Sequence, residues 1–160
     1  MGPEMNQRCE IRKLQNSSEA EKCARMMVDS EPWKSLSQTY EVSLEMVTDP
    51  SREIYLALID DKIAGFVILH MQGVLRGYIQ AVCVASDRRN RGTGSQLMAF
   101  AEERIFRETS EAFICVSSFN KDALRLYERL GYEIMMELAE GSEILLRKRM
   151  VATTKFKGEG

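Results

Sequence analysis

The stretch from Val82 to Met98, Val-Cys-Val-Ala-Ser-Asp-Arg-Arg-Asn-Arg-Gly-Thr-Gly-Ser-Gln-Leu-Met, constrains this chain more than any other. A β-branched apolar run enters a polar turn carrying Arg88, Arg89 and Arg91. Gly92 and Gly94 follow, and then Leu97, Met98, Ala101 and Ile105 recur at helical spacing. The segment reads as strand, loop and helix N-terminus. A first helical turn has unpaired N–H groups and the positive end of the helix dipole, so an anion can rest on it where glycines keep side chains away. Arginine forks beside such a turn match phosphate oxygens in pairs. The plain alternative is a glycine-rich turn ahead of a solvated helix. A P-loop would need Gly-x-x-x-x-Gly-Lys-Ser/Thr, and a dinucleotide fingerprint would need a glycine where Leu97 stands.

A chain of 160 residues with 44% hydrophobic composition can bury one sizeable core, so residues 1–160 are expected to form a single domain, with 1–8 and 151–160 flexible. A net charge of −2 makes the arginine cluster local and speaks against an extended nucleic-acid face. Cys9, Cys23, Cys83 and Cys115 lack Cys-x-x-Cys spacing and His70 is the only histidine, so no metal is expected. Apolar runs such as 63–71 are much shorter than the ~20 residues of a membrane span. The beginning of the chain lacks a secretory h-region. A cytoplasmic protein with reduced thiols and no membrane partner is the expectation.

Cys9 to Leu14 suits a first strand. Ser18 and Glu21 form a capping box ahead of Ala20, Cys23, Ala24 and Met27, predicting a helix that ends near Asp29. Leu36, Tyr40, Leu44 and Val47 predict a second helix up to Asp49-Pro50. Strands are expected over 53–59, 63–71 and 78–84, joined by turns and antiparallel. The helix from about Gly92 to Arg107 then crosses over to a strand at 112–116, which implies a parallel pair and a right-handed connection. A helix over 120–130 stops at Gly131, and 132–138 with 143–149 make a last hairpin.

The second informative stretch is Asn120-Lys-Asp-Ala-Leu-Arg-Leu-Tyr-Glu-Arg-Leu-Gly-Tyr132. Tyr127 taken alone reads more readily as a core aromatic than as an acid. Together the two stretches resemble the GNAT superfamily of acyl-CoA N-acyltransferases. Its Gln/Arg-x-x-Gly-x-Gly/Ala signature is met by Arg89, Gly92 and Gly94. Its Asn-x-x-Ala-x-x-Leu-Tyr-x-x-x-Gly-Phe/Tyr pattern is met by Asn120, Ala123, Leu126, Tyr127, Gly131 and Tyr132. The resemblance implies an α+β three-layer fold: a mixed, mostly antiparallel sheet, about four helices, and a fourth strand splayed from the fifth. It further implies acetyl-CoA as cosubstrate, with main-chain groups of Val82, Cys83 and Val84 on the pantetheine. The amides of Asn90, Gly92, Thr93, Gly94 and Ser95, with Arg89 and Arg91 nearby, would hold the pyrophosphate. Asn120 would bond the pantetheine and Tyr127 would lie near the sulfur. Ser86 stands where relatives often have proline. Trp33, Leu36 and Tyr40, around the first two helices, become candidates for contact with the acceptor, core packing being the alternative.

The implied reaction is direct attack of a neutral amine on the thioester. A strand-four N–H near Cys83 or Val84 would stabilise the oxyanion, and Tyr127 would protonate the leaving thiolate. Relatives place a glutamate base on strand four or five, where this chain has Tyr78, Gln80 and Cys115. Glu41, Glu45, Glu53 and His70 are the remaining candidates, unless a water chain serves. An α-amine with pKa ~7.8 is far more often neutral than a lysine at ~10.4, a difference of ~3 kcal/mol in barrier without a base. That favours a peptide or protein α-amine over a lysine. Pro32-Trp33 is also similar to the acceptor side of ribosomal-protein N-terminal acetyltransferases. A small-molecule amine (polyamine, amino acid, aminoglycoside) and a non-catalytic acyl-CoA-binding module stay open. Nucleic-acid binding through Arg88, Arg89 and Arg91 is a more distant reading. The last hairpin offers an edge for a homodimer.

Overall fold

The computed structural model describes residues 9–151; the terminal stretches 1–8 and 152–160, expected to be flexible, lie outside them. Seven strands form one sheet in the order β1-β2-β3-β4-β5-β7-β6. They are β1 (Cys9–Lys13), β2 (Glu53–Ile59), β3 (Lys62–His70), β4 (Tyr78–Val84), β5 (Glu111–Ser117), β6 (Glu133–Leu138) and β7 (Glu143–Arg149). Four helices pack on it: α1 (Ser17–Val28), α2 (Tyr40–Thr48), α3 (Thr93–Phe106) and α4 (Lys121–Arg129). The mixed α+β fold expected from the sequence is the one observed.

Strands β2 and β3 are buried along nearly their whole length, because helices cover both faces of the sheet there. Such strands read as continuous apolar runs and lose the alternation of a one-sided sheet. On one face α1 and α2 bury Cys23, Met27 and Val47 against Leu56, Phe66 and Ile68. On the other, Leu97, Met98, Ala101 and Ile105 of α3 are fully buried against Val67, Leu69, Ile79 and Ile114. Each large side chain so buried contributes about 1.5–3 kcal/mol before entropy is counted. Arg104 of α3 grips both oxygens of Glu53 on β2 at 2.8 and 2.7 Å, and the Tyr55 hydroxyl donates to the same carboxylate at 2.7 Å.

Two helix starts differ from expectation. Asn16, not Ser18, caps α1: its side chain accepts the Glu19 N–H at 2.9 Å, and Glu19 accepts the Gln15 N–H at 2.8 Å and two bonds from Arg12. The cap shifts because Glu19 is recruited by Arg12 on β1, a partner outside the helix. Leu36 keeps helical spacing with Tyr40 but lies outside α2, in a turn over 30–38, and is 57% exposed. Thr39 ends that turn by accepting the Val42 N–H at 3.1 Å.

Strand β4 decides the shape of the site. Ile68 pairs with Ala81 but Leu69 pairs with Ile79, so Gln80 is an extra residue, a bulge. The parallel pairing of β4 with β5 covers only Tyr78 with Phe113 and Ile79 with Ile114. Beyond the bulge the two strands diverge, and a cleft opens between them.

Candidate active site

The cleft between β4 and β5 has a volume of about 790 Å³. One wall is Gln80 to Val84 of β4; the other is Ile114 to Ser117 of β5, continued by Asn120, Ala123, Leu126 and Tyr127 at the start of α4. The 30–36 turn and the loop before α3 complete its lining.

Main-chain polarity along β4 follows from one bond. The Ala85 N–H bonds the Ala64 carbonyl of β3 at 2.8 Å. In an antiparallel ladder, alternate residues turn both backbone groups towards and away from the partner. Val84 and Val82 therefore direct N–H and C=O into the cleft, while Cys83 directs them to β3. Cys83 also turns its side chain into the α1 face, where burial pushes the thiol up to about 11. Of Cys83 and Val84, the two expected oxyanion donors, only Val84 turns its N–H into the cleft.

At the open end, Gly92 caps α3 with φ of 87° and without any side-chain cap bond. That left-handed backbone is what requires glycine here, since a Cβ would meet nothing within 4 Å. The first amides of α3 are consequently left to whatever occupies the cleft. Arg88, Arg89, Asn90, Gly92, Gly94 and Ser95 line this end; Arg91 does not, and Thr93 is buried beneath it. Arg89 reaches back, donating to the Ser30 hydroxyl at 3.1 Å and to the Val84 carbonyl at 3.3 Å. It thereby ties the loop before α3 to the start of the 30–38 turn.

Asn120 caps α4 by accepting the Ala123 N–H at 3.3 Å, which leaves its amide nitrogen for the cleft. Tyr127 is 7% exposed, packs edge-on against Tyr132 with ring centres 6.2 Å apart, and its hydroxyl bonds no described protein group. Burial pushes that phenol up to about 12. It holds its proton at neutral pH and presents it to the cleft.

Of the acceptor candidates, Trp33 and Leu36 line the cleft, but Tyr40 does not. Tyr40 packs into the α1–α2 core, under the Arg25 guanidinium at 5.6 Å. None of the expected base candidates reaches the cleft. Glu41 and Glu45 lie on the exposed surface of α2. Glu53 is held below its ordinary carboxylate value, chiefly by Arg104, and His70 lies outside the lining. Three other carboxylates do line it: Glu31, Asp122 and Glu143. Glu143, opposite Ser117 on the β5–β7 ladder, was not singled out by its sequence position. Only strand order brings it to β5.

A sheet forked at a β4 bulge, with a helix N-terminus at the open end of the fork, defines an acyl-CoA N-acyltransferase fold. The sequence profile of the acetyltransferase (GNAT) family matches residues 15–132, and the chain belongs to that family. It is similar to the aminoalkylphosphonate N-acetyltransferase of Salmonella typhimurium, 35% identical over 91 residues that cover 53% of this chain and 59% of that protein. It is also similar to N-alpha-acetyltransferase 30 of Xenopus laevis, 30% identical over 83 residues, 49% of this chain and 30% of that one. The chain thus spans less than two thirds of the length of either relative. The crystal structure of the PaiA N-acetyltransferase of Thermoplasma acidophilum in complex with coenzyme A shares the fold, with a TM-score of 0.70, 16% identity, and coverage of 89% of this chain and 99% of that one. Among the described residues no helix is long and apolar enough to cross a membrane, and no cluster could hold a metal ion.

Proposed function

We propose that the protein transfers an acetyl group from acetyl-CoA to a primary amine, the preferred acceptor being a peptide or protein α-amine. The observation that carries the reading is the forked cleft itself, which joins a helix N-terminus without a side-chain cap, inward-facing backbone at Val82 and Val84, and a protonated buried phenol. The amides at Gly92 to Ser95, with Arg88 and Arg89, take the pyrophosphate. Pantetheine runs along Val82 and Val84 past the Asn120 amide, bringing the thioester to Tyr127. Attack by the amine builds charge on the carbonyl oxygen, which a β4 N–H stabilises. The C–S bond then breaks and charge moves to sulfur. A phenol held near 12 is a weaker acid than a thiol at ~8.5. Tyr127 therefore acts first as a hydrogen-bond donor to the developing thiolate.

The α-amine preference is supported by the 30–36 turn of the cleft lining, where Trp33 and the exposed Leu36 offer apolar surface to a chain entering from solvent. The similarity to an N-alpha-acetyltransferase supports it as well. The small-amine reading has the aminoalkylphosphonate relative behind it. An acceptor carrying a phosphonate would, however, bring its anion to a cleft lined by Glu31 and Glu143. The four described cysteines are unpaired, which supports a reducing, cytoplasmic setting. A homodimer through β6 belongs to the same reading.

The test is acetyl transfer from acetyl-CoA, read by product mass, across free N-terminal peptides, N-blocked lysine peptides, polyamines, aminoglycosides and an aminoalkylphosphonate. Transfer to free N-termini is expected. Transfer confined to a small amine would replace the peptide acceptor, and tight acetyl-CoA binding without transfer to any amine would leave a non-catalytic binding module.

A further inference from the structure

Three carboxylates line the cleft and two are already engaged. Glu31 accepts the Ser35 N–H at 3.2 Å on one oxygen and the Ser35 hydroxyl at 2.8 Å on the other. Asp122 is exposed and paired with Arg125. Glu143 accepts one bond, from the Ser117 hydroxyl to Oε2 at 2.9 Å, and among the described residues nothing bonds its Oε1. Ser117 is itself buried, at 3% exposure, so the hydroxyl that aims this carboxylate is fixed by packing. Ile114 is the last β5 residue paired with β4. Ser117 and Glu143 therefore sit beyond the fork, where the cleft has opened.

Resting on the acetyltransferase reading, we propose that Glu143 is the catalytic residue that takes the proton from the incoming ammonium group, with Ser117 as its positioning residue. A protonated amine approaching past the 30–36 turn gives one proton to Glu143 Oε1. The freed nitrogen lone pair attacks the thioester carbonyl, forming the C–N bond and a tetrahedral oxyanion, which then re-forms the carbonyl as the C–S bond breaks. The nitrogen then releases a second proton, which ends on the thiolate through Tyr127, and Glu143 returns its own to solvent. One amide, one thiol and one net proton result, with no further reactant.

The charged and titratable groups around Glu143 are few. Tyr78 of β4 faces it, its phenol raised chiefly by burial and then by Cys115 of β5 and Glu143 itself, so it stays neutral. From β6 the facing residue is Leu138. Glu31, another carboxylate of the cleft lining, is held by Ser35.

Glu143→Gln keeps the shape and still accepts from Ser117, but cannot take a proton. With acetyl-CoA and a peptide α-amine, kcat/KM at pH 7 is expected to fall about sevenfold, because only about one such amine in seven is neutral there without a base. At a pH of about 9.5, where an amine of pKa ~7.8 is already almost wholly neutral, the variant should match wild type to within about 1.5-fold. Acetyl-CoA affinity by calorimetry should not change, and Ser117→Ala should show the same pH-dependent deficit in milder form. A Glu143→Gln variant as active as wild type at pH 7, or a deficit equal at both pH values, would overturn the assignment. A wild-type protein inert towards every amine would instead overturn the acetyltransferase reading, and this inference with it.

Discussion

Tyr127 shows how burial sets what one side chain can do. Its ring is anchored by Tyr132, whose hydroxyl donates to Glu102 at 2.9 Å, a carboxylate that also accepts from Lys148 at 2.8 Å. The Tyr127 hydroxyl bonds no described protein group, so Tyr127→Phe removes chemistry and little else. Turnover is expected to fall about 10²-fold, with acetyl-CoA affinity unchanged and stability within about 0.5 kcal/mol of wild type. Steady-state kinetics beside calorimetry check this; lost affinity with normal turnover would refute the role. Its motif singled out Tyr127 as a candidate, whereas nothing local marks a glutamate at the start of a last strand, and Glu143 enters as a proposal only through the fold. Its place depends on β7 inserting between β5 and β6. Tyr40 stands near the acceptor turn in sequence, but it packs half-buried against the α1–α2 core and outside the cleft lining.

At the level of elements, the α3 N-terminus and the β4 bulge together make the cleft. Gly94 can test the first without strain. A Cβ there would make ordinary contacts, 3.7 Å to Val84 and 3.8 Å to Leu126. Gly94→Asp should stabilise the protein by about 1 kcal/mol, through helix propensity and a favourable charge in the first turn. The same carboxylate would meet the pyrophosphate at short range, where like charges about 4 Å apart cost ~4 kcal/mol at an effective dielectric near 20, or about 10³-fold in affinity. Thermal melts and acetyl-CoA titration should therefore move in opposite directions. Retained binding would displace the phosphate from this loop. Strands and the long helix were legible because their apolar periods are local. The cap of α1 was not, because Arg12 on β1 selects Glu19 from outside the helix.

For the whole molecule, the unfinished edge of the sheet is β6, exposed at all six residues. Ile134 and Met136 stand 52% and 48% exposed, an apolar edge of the kind that recruits another strand. Antiparallel pairing of β6 with a second copy about Met135 and Met136 sets Glu133 against Leu138 and Ile134 against Glu137, so no glutamate faces a glutamate. Sedimentation should find a dimer that a double change, Ile134→Lys with Met136→Lys, converts to a folded monomer. A wild-type monomer at tens of micromolar (about the concentration of the assay) would remove the homodimer. The sequence by itself determined the α+β fold, its strand and helix order and the glycine turn, and it marked Tyr127 as a candidate, because each is written in local periodicity or spacing. Tertiary structure alone decided that Gln80 bulges, that β4 leaves β5 after Ile79, and that Val82 and Val84 face the opening. It also decided which carboxylate arrives there: that depends on pairing between segments distant in the chain, which short-range patterns do not encode.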